Sequence, residues 1–305
     1  MELILAARSP FNFRSVIKSH GWYLLAPFEW DETRGILSSV EQLSSGRVVL
    51  LVMSGDTHQV RVMCADRLSK REQQEVAERV RWMFMLDTDF DEFYQLADDE
   101  PRLAHCRAQA HGRLLRSGSI WADVVKVLLT TNIQWSGTKR LASALVKRFG
   151  DPLPGHASHR AFPQPERIAR SRESVLRNIG LGYRSPYLLQ LARGVVSGRY
   201  ALEALNDPNR TTDEVRRLLL ALPGIGPYGA ATLLGLLGRN DYIGVDTEAL
   251  SAVSKAFYGG KPIGAREIEA IFARWGKFKS LAYWFWDWDS QQQAPMDAYA
   301  AKAKP

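Results

Sequence analysis

The sequence predicts an α+β protein, a small antiparallel sheet followed by a mostly α-helical domain. Three observations predict it. Short apolar runs between Ser, Gly and Asp turns fill the first 86 residues. From about residue 87 the apolar spacing becomes helical. Two of those helical patterns then meet at one break rich in proline and glycine, Leu222-Pro223-Gly224-Ile225-Gly226-Pro227. The expected segments are 1–86 for the sheet domain, 87–290 for the helical domain and 291–305 for a disordered tail, whose composition is rich in Ala and Lys.

In the sheet domain, Glu2–Ala6 is a short apolar run. Pro10–His20 fits a helix and Gly21–Phe28 an aromatic strand. Ile36–Leu43, Arg47–Met53 and His58–Cys64 read as strands, with Ser44-Ser45-Gly46 and Ser54-Gly55-Asp56 as turns. Gln59–Cys64 alternates, whereas Val48–Met53 is apolar on both faces. Ser69 with Glu72 makes a capping box. The helix it opens, Lys70–Met85, sets Val76, Val80, Met83 and Phe84 on one stripe.

In the helical domain, Trp121–Leu129 and Ser136–Phe149 read as helices, the second ending at Gly150 as a C′ residue. Asp151–Arg160 reads as a polar loop. Its His156 and His159 have no third ligand nearby, so the loop is taken as solvated rather than metal-binding. Pro165 starts a short helix, and Arg172–Ile179 and Pro186–Val196 flank Gly180-Leu181-Gly182. Thr211 or Thr212 caps the helix that enters the break. Helices near Thr247–Phe257, Ala265–Trp275 and Ser280–Trp286 follow.

Composition narrows the function classes. Of 305 residues, 46% are hydrophobic and 24% charged, which suits an ordinary soluble globular chain with ample core. No run of about 18 uncharged apolar residues offers a membrane span, and Met1–Ala7 lacks a basic n-region for a signal peptide. A cytoplasmic, nucleoid-associated monomer is the expectation. The net charge of +7 favours a polyanion partner. Two cysteines, Cys64 and Cys106, exclude a four-cysteine zinc or iron–sulfur site.

The break between the two helical patterns carries the chemistry. A tight turn between helices needs glycine where φ is positive or a backbone comes close, and Gly224 and Gly226 meet that need. Pro227 suits the first turn of the outgoing helix. Unpaired amides at that helix N-terminus form an anion site able to hold a DNA phosphate. Downstream lies a lone carboxylate, Asp246, in apolar surroundings. Such a carboxylate can stabilise a developing positive charge and orient or activate water. An Asp before a helix is also a common N-cap, and the two roles are compatible.

Leu222-Pro223-Gly224-Ile225-Gly226 with Asp246 about twenty residues on resembles the helix-hairpin-helix DNA glycosylases. Phe84–Ala97, Ala161–Glu166 and the Gly180-Leu181-Gly182-Tyr183-Arg184 run are similar to the alkyladenine and 8-oxoguanine branches, which lack the iron–sulfur cluster. The resemblance implies duplex DNA carrying a damaged base as partner and Asp246 as the catalytic carboxylate. Strand-cutting members carry a Lys where this chain has Tyr228, eighteen residues before Asp246 (246 − 228 = 18). A phenol forms no Schiff base, so the implied enzyme is monofunctional and hydrolytic, leaving an abasic site. A lyase using Lys255, and a non-catalytic damage binder, are the alternatives.

The same resemblance implies the remaining site residues. Gly224, Gly226 and Gly229 would hold phosphates through their amides, with charge from Lys139, Arg140 and Arg184. Asn132 would fill the gap left by a flipped base, helped by Ile133 and Gln134. Trp135, Tyr183, Tyr283, Trp284 and Asp287 are base-pocket candidates. The carbonyls of Leu220, Leu222 and Ile225 would hold a monovalent cation, K+ or Na+, and no other cofactor is required. An alkylated purine such as 3-methyladenine is the leading substrate, and oxidised guanine or a G:T or G:U mismatch the alternatives. Tyr228 matches neither the Trp of the alkyladenine branch nor the Lys of the 8-oxoguanine branch.

Overall fold

The computed structural model describes residues 1–288, so the expected tail, 291–305, lies outside the described residues. In chain order the first elements are β1 (Glu2–Ala6), α1 (Phe13–Ile17), β2 (Phe28–Asp31), β3 (Ile36–Gln42), β4 (Val48–Gly55), β5 (Gln59–Met63) and α2 (Lys70–Phe84). Then come α3 (Asp91–Asp98), α4 (His105–Ala108), α5 (Ile120–Thr130), α6 (Trp135–Phe149), β6 (Pro152–Leu153), β7 (His156–Arg160), α7 (Pro165–Ala169), α8 (Glu173–Asn178) and α9 (Arg184–Val196). The last are α10 (Thr212–Leu220), α11 (Pro227–Leu236), α12 (Thr247–Phe257), α13 (Ala265–Phe272) and α14 (Lys279–Trp284). The fold is α+β, as the periodicities predict.

The chain divides into two compact units. Among the described residues, one comprises 1–89, 113–207 and 221–224, and the other 90–112, 208–220 and 225–288. The first unit holds an antiparallel sheet in the order β1-β5-β4-β3-β2. Val49, Leu51 and Met53 of β4 and Val60 and Val62 of β5 are fully buried. Phe13 of α1 stacks on Phe84 of α2, with ring centroids 5.2 Å apart. The predicted capping box on α2 is present: Ser69 Oγ accepts the Glu72 amide, and Glu72 accepts the Ser69 amide at 2.9 Å.

Three expectations are corrected. Gly21–Phe28 is not a strand: Gly21–Leu24 form a 3-10 turn, and β2 starts only at Phe28. A tertiary hydrogen bond overrides the aromatic pattern there, because Trp22 donates its indole N–H to the buried Asp123 carboxylate of α5 at 2.8 Å. Asp151–Arg160 is not a plain loop but the β6–β7 hairpin. Leu153 and the following Ala161 cluster with Val40, and Val48 and Leu50 pack on them. That second layer explains why β4 is apolar on both faces. The turn after β4 lies later than expected, at Asp56, whose Oδ1 accepts the amides of His58 at 2.7 Å and Gln59 at 3.0 Å.

Gly150 does cap α6, but at φ −69, not in the left-handed region. Glycine suits it because a Cβ would lie 2.1 Å from the Ala161 carbonyl oxygen. At the centre of this unit, α5 is buried from Trp121 to Leu129, including Lys126. The Lys126 ammonium stands 4.4 Å from the centre of the Phe28 ring, and burial depresses its pKa to about 8. No helix among the described residues is long and apolar enough to cross a membrane.

Candidate active site

Helices α10 and α11, both of the second unit, flank the predicted hairpin. Thr211 caps α10: its Oγ1 accepts the Glu214 amide at 3.3 Å, and the Glu214 carboxylate accepts the Thr211 amide at 2.8 Å. In the connecting turn Gly224 adopts φ +77. A Cβ there would lie 2.5 Å from Leu128 Cδ1 and 3.1 Å from Tyr187, so the turn demands glycine twice over. Gly226 differs. It caps α11 at φ −94, and a Cβ there would meet nothing within 4 Å.

A glycine N-cap has no side chain to offer, and Pro227 at N1 has no N–H. Among the described residues, no acceptor takes the amides of Gly224, Gly226, Tyr228 or Gly229. Those of Gly226, Tyr228 and Gly229 form the bare, partially positive N-terminus of α11. In the same turn, no N–H among the described residues donates to the carbonyls of Leu220, Leu222 or Ile225. Those oxygens retain the lone pairs that a monovalent cation would need.

Asp246 stands at the N-cap of α12 in an extended conformation, φ −127. Its Oδ1 accepts the Ala249 amide at 2.8 Å. Among the described residues, Oδ2 accepts no hydrogen bond. Tyr228, in the first turn of α11, packs its ring edge on Gly244, where a Cβ would sit 3.4 Å from Cδ2. Enclosure of its phenol, then the neighbouring Asp246 charge, raises its pKa. Tyr283 of α14 is pushed up by burial, then by Asp246, Tyr228 and Glu248. The Asp246 charge is thus felt at both phenols. Tyr283 itself packs edge-on against Phe272 at 5.6 Å and Trp288 at 5.5 Å.

The other second-unit candidates are Trp284, Asp287 and Lys255. Trp284 is 47% exposed. Asp287 is held by its backbone: its carbonyl accepts Arg102 Nη1 at 2.8 Å and its amide donates to the Arg102 carbonyl at 3.0 Å. Lys255 is exposed on α12, nine residues beyond Asp246 (255 − 246 = 9). At the helical rise this is roughly 13 Å further along the axis.

In the first unit the loop between α5 and α6 carries the predicted wedge. Asn132 is exposed and left-handed at φ +47. Its amide donates to the Tyr183 hydroxyl at 3.3 Å, and that hydroxyl donates to the Thr131 carbonyl at 3.2 Å. Arg184, expected to add exposed charge, is instead only 5% exposed. Its Nη2 donates to the same Thr131 carbonyl, and its guanidinium lies 4.6 Å over the Tyr183 ring. Arg184 therefore holds the loop in shape. This knot of Thr131, Tyr183 and Arg184 was not foreseen; the adjacent Tyr-Arg pair after two glycines was the available signal.

Ile133 packs on the first turn of α6, where a Cβ at Gly137 would lie 2.5 Å from Ile133 Cδ1. Gln134 is exposed at the N-cap of α6 and makes no side-chain cap. Trp135 lays its indole over Gly21, where a Cβ would lie 2.3 Å from Cζ2. Lys139 and Arg140 are exposed on α6.

A helical hairpin with bare outgoing amides, followed by a helix-capping carboxylate with one oxygen open, defines the class. The chain belongs to the HhH-GPD superfamily of base excision DNA repair proteins, whose model matches residues 125–278. It is 24% identical over 199 residues to an N-glycosylase/DNA lyase of Saccharomyces cerevisiae, covering 53% of this chain and 52% of that protein. It is 28% identical over 168 residues to a DNA-3-methyladenine glycosylase of Bacillus subtilis, covering 54% of each. The chain thus spans about half the length of these curated relatives. The fold superposes on a 3-methyladenine DNA-glycosylase from Archaeoglobus fulgidus with a TM-score of 0.75. That match has 21% identity and covers 93% of this chain and 97% of the other.

Proposed function

We propose that the protein is a monofunctional DNA glycosylase that hydrolyses the N-glycosidic bond of a flipped, alkylated purine such as 3-methyladenine in duplex DNA. The observation that carries this reading is the Asp246 carboxylate, fixed through Oδ1 with no donor on Oδ2 among the described residues. As the bond from C1′ to the base breaks, positive charge grows on the sugar, and Asp246 stabilises it. Water adds to C1′ and gives up a proton to the Asp246 carboxylate, which passes it to solvent, and the base departs with the bonding pair. Hydrolysis rather than strand cutting is supported by Tyr228 at the position of the attacking lysine and by the axial distance of Lys255.

The bare amides of the hairpin would bind a backbone phosphate, and the open space at Gly226 would let the backbone approach. A K+ or Na+ ion on the Leu220, Leu222 and Ile225 carbonyls would add positive charge there. Asn132, held out by Tyr183, would occupy the space of the flipped nucleotide.

The test is a set of duplexes containing an alkylated purine, 8-oxoguanine or a G:T mismatch, scored for strand breaks before and after alkali. Breaks at the alkylated purine only after alkali are expected. Breaks without alkali would overturn the monofunctional assignment, a preference for 8-oxoguanine the substrate, and binding without excision of any base the enzymatic reading.

A further inference from the structure

The second unit carries a group of ligands that the glycosylase reading does not use. His105 and Cys106 of α4 and His111 just after it bring one ligand atom each to within 4.8 Å of one another. Cys106 is fully buried, and its Sγ lies 3.9 Å from His105 Nε2. The two imidazoles meet edge to face, with centroids 5.2 Å apart. His111 Nδ1 is buried and has no hydrogen-bond partner among the described residues. Leaving a buried ring nitrogen unpaired costs stability, so such an atom asks for a partner.

The backbone is bent to make this group. The His111 amide returns to the Cys106 carbonyl at 2.9 Å, closing the turn. Ala110 takes φ +52 and Gly112 φ +126 on either side of His111. A left-handed alanine costs roughly 1 kcal/mol or more, and persists only where its surroundings impose it. His111 is further fixed by stacking on Phe285 at 4.7 Å, and its carbonyl accepts the Tyr94 hydroxyl at 2.7 Å.

We propose that His105, Cys106 and His111 form a binding site for one Zn2+ ion, with water as the fourth ligand. Two imidazoles and a thiolate are a donor set zinc favours, at bond lengths of about 2.0–2.1 Å to nitrogen and 2.3 Å to sulfur. Tetrahedral bonds of those lengths put the ligand atoms about 3.3–3.6 Å apart. The present separations close to that with side-chain shifts of about 1 Å or less. His105 and His111 are each partly exposed, which gives the ion and its water a way in. Binding converts the Cys106 thiol to a thiolate and releases one proton per ion. The excision chemistry proposed above uses none of these three side chains.

The test titrates Co2+, as a spectroscopic stand-in for Zn2+, into the full-length reduced protein. One equivalent should produce thiolate-to-cobalt charge-transfer absorption with tetrahedral visible bands, and Zn2+ should displace it. Cys106→Ala should abolish the charge-transfer band. Replacing the partly exposed His105 by Gln should weaken binding by more than the roughly 10- to 100-fold that outer-sphere partners cost. Cys64→Ser should leave the spectrum unchanged. If Cys106→Ala misfolds, the His105→Gln titration and a Zn2+-dependent rise in Tm of the wild type decide. Absence of saturable charge transfer at one equivalent, or its survival in Cys106→Ala, overturns the proposal.

Discussion

Asp246 accepts the Ala249 amide through Oδ1 at 2.8 Å, which caps α12 and leaves Oδ2 without a donor among the described residues. One side chain thus fixes a helix end and keeps an oxygen for chemistry. The two roles separate by substitution. Asn caps about as well as Asp, so Asp246→Asn should unfold thermally within a few degrees of wild type. Asp246→Ala should lose about 1 kcal/mol, visible as a lower urea midpoint at unchanged m.

The two hairpin glycines should behave oppositely. Gly224→Ala forces a Cβ into φ +77 and against Leu128, and should cost on the order of 1–3 kcal/mol. Gly226→Ala meets neither constraint and should leave the urea midpoint nearly unchanged, within about 1 kcal/mol. Its cost should appear in DNA affinity, measured by fluorescence anisotropy at fixed salt. Unchanged affinity in Gly226→Ala would detach the bare amides from DNA binding.

Much of this was legible in the sequence. Short apolar runs between turns and the Ser69–Glu72 spacing announced the sheet and α2, and the hairpin with Asp246 pointed to the candidate site. What was missed depends on contacts remote in sequence. Trp22 reaches across to Asp123 and breaks the expected strand, and Leu153 packs on Val40 to turn a polar loop into a hairpin. Arg184 looked like a surface charge because composition cannot show that the Thr131 carbonyl waits for it.

Asn132 and the Tyr183 hydroxyl share a hydrogen bond at 3.3 Å. Asn132→Ala should fold normally yet excise the damaged base from a duplex about tenfold more slowly, because flipping costs a few kcal/mol. Excision from a single strand should be spared. Equal slowing on both substrates would place Asn132 outside the flipping step. Tyr183→Phe should reproduce a milder form of the defect by loosening Asn132 and the Thr131 carbonyl.

His20 gives a pH signature. Burial holds its pKa down at about 4, despite its contact with the Leu115 carbonyl, and Lys126 lowers it further. The folded form therefore binds a proton less readily than the unfolded chain, whose pKa is near 6.5. Its contribution is complete above pH 6.5 and is lost as pH falls towards 4, on the order of 3 kcal/mol. His111, also held near 4 by burial and then by His105, adds a decline of the same sign. His20→Asn should flatten part of the fall in urea midpoint between pH 7 and 4.5. An unchanged slope would show that His20 is not desolvated.

The central claim is that Asp246 acts on the sugar. The measurement is single-turnover release of 3-methyladenine from duplex DNA by wild type and Asp246→Asn, with DNA affinity measured on the same preparations. The predicted result is a rate lower by about 100- to 1000-fold with affinity and Tm preserved. Excision at the wild-type rate by Asp246→Asn would contradict it.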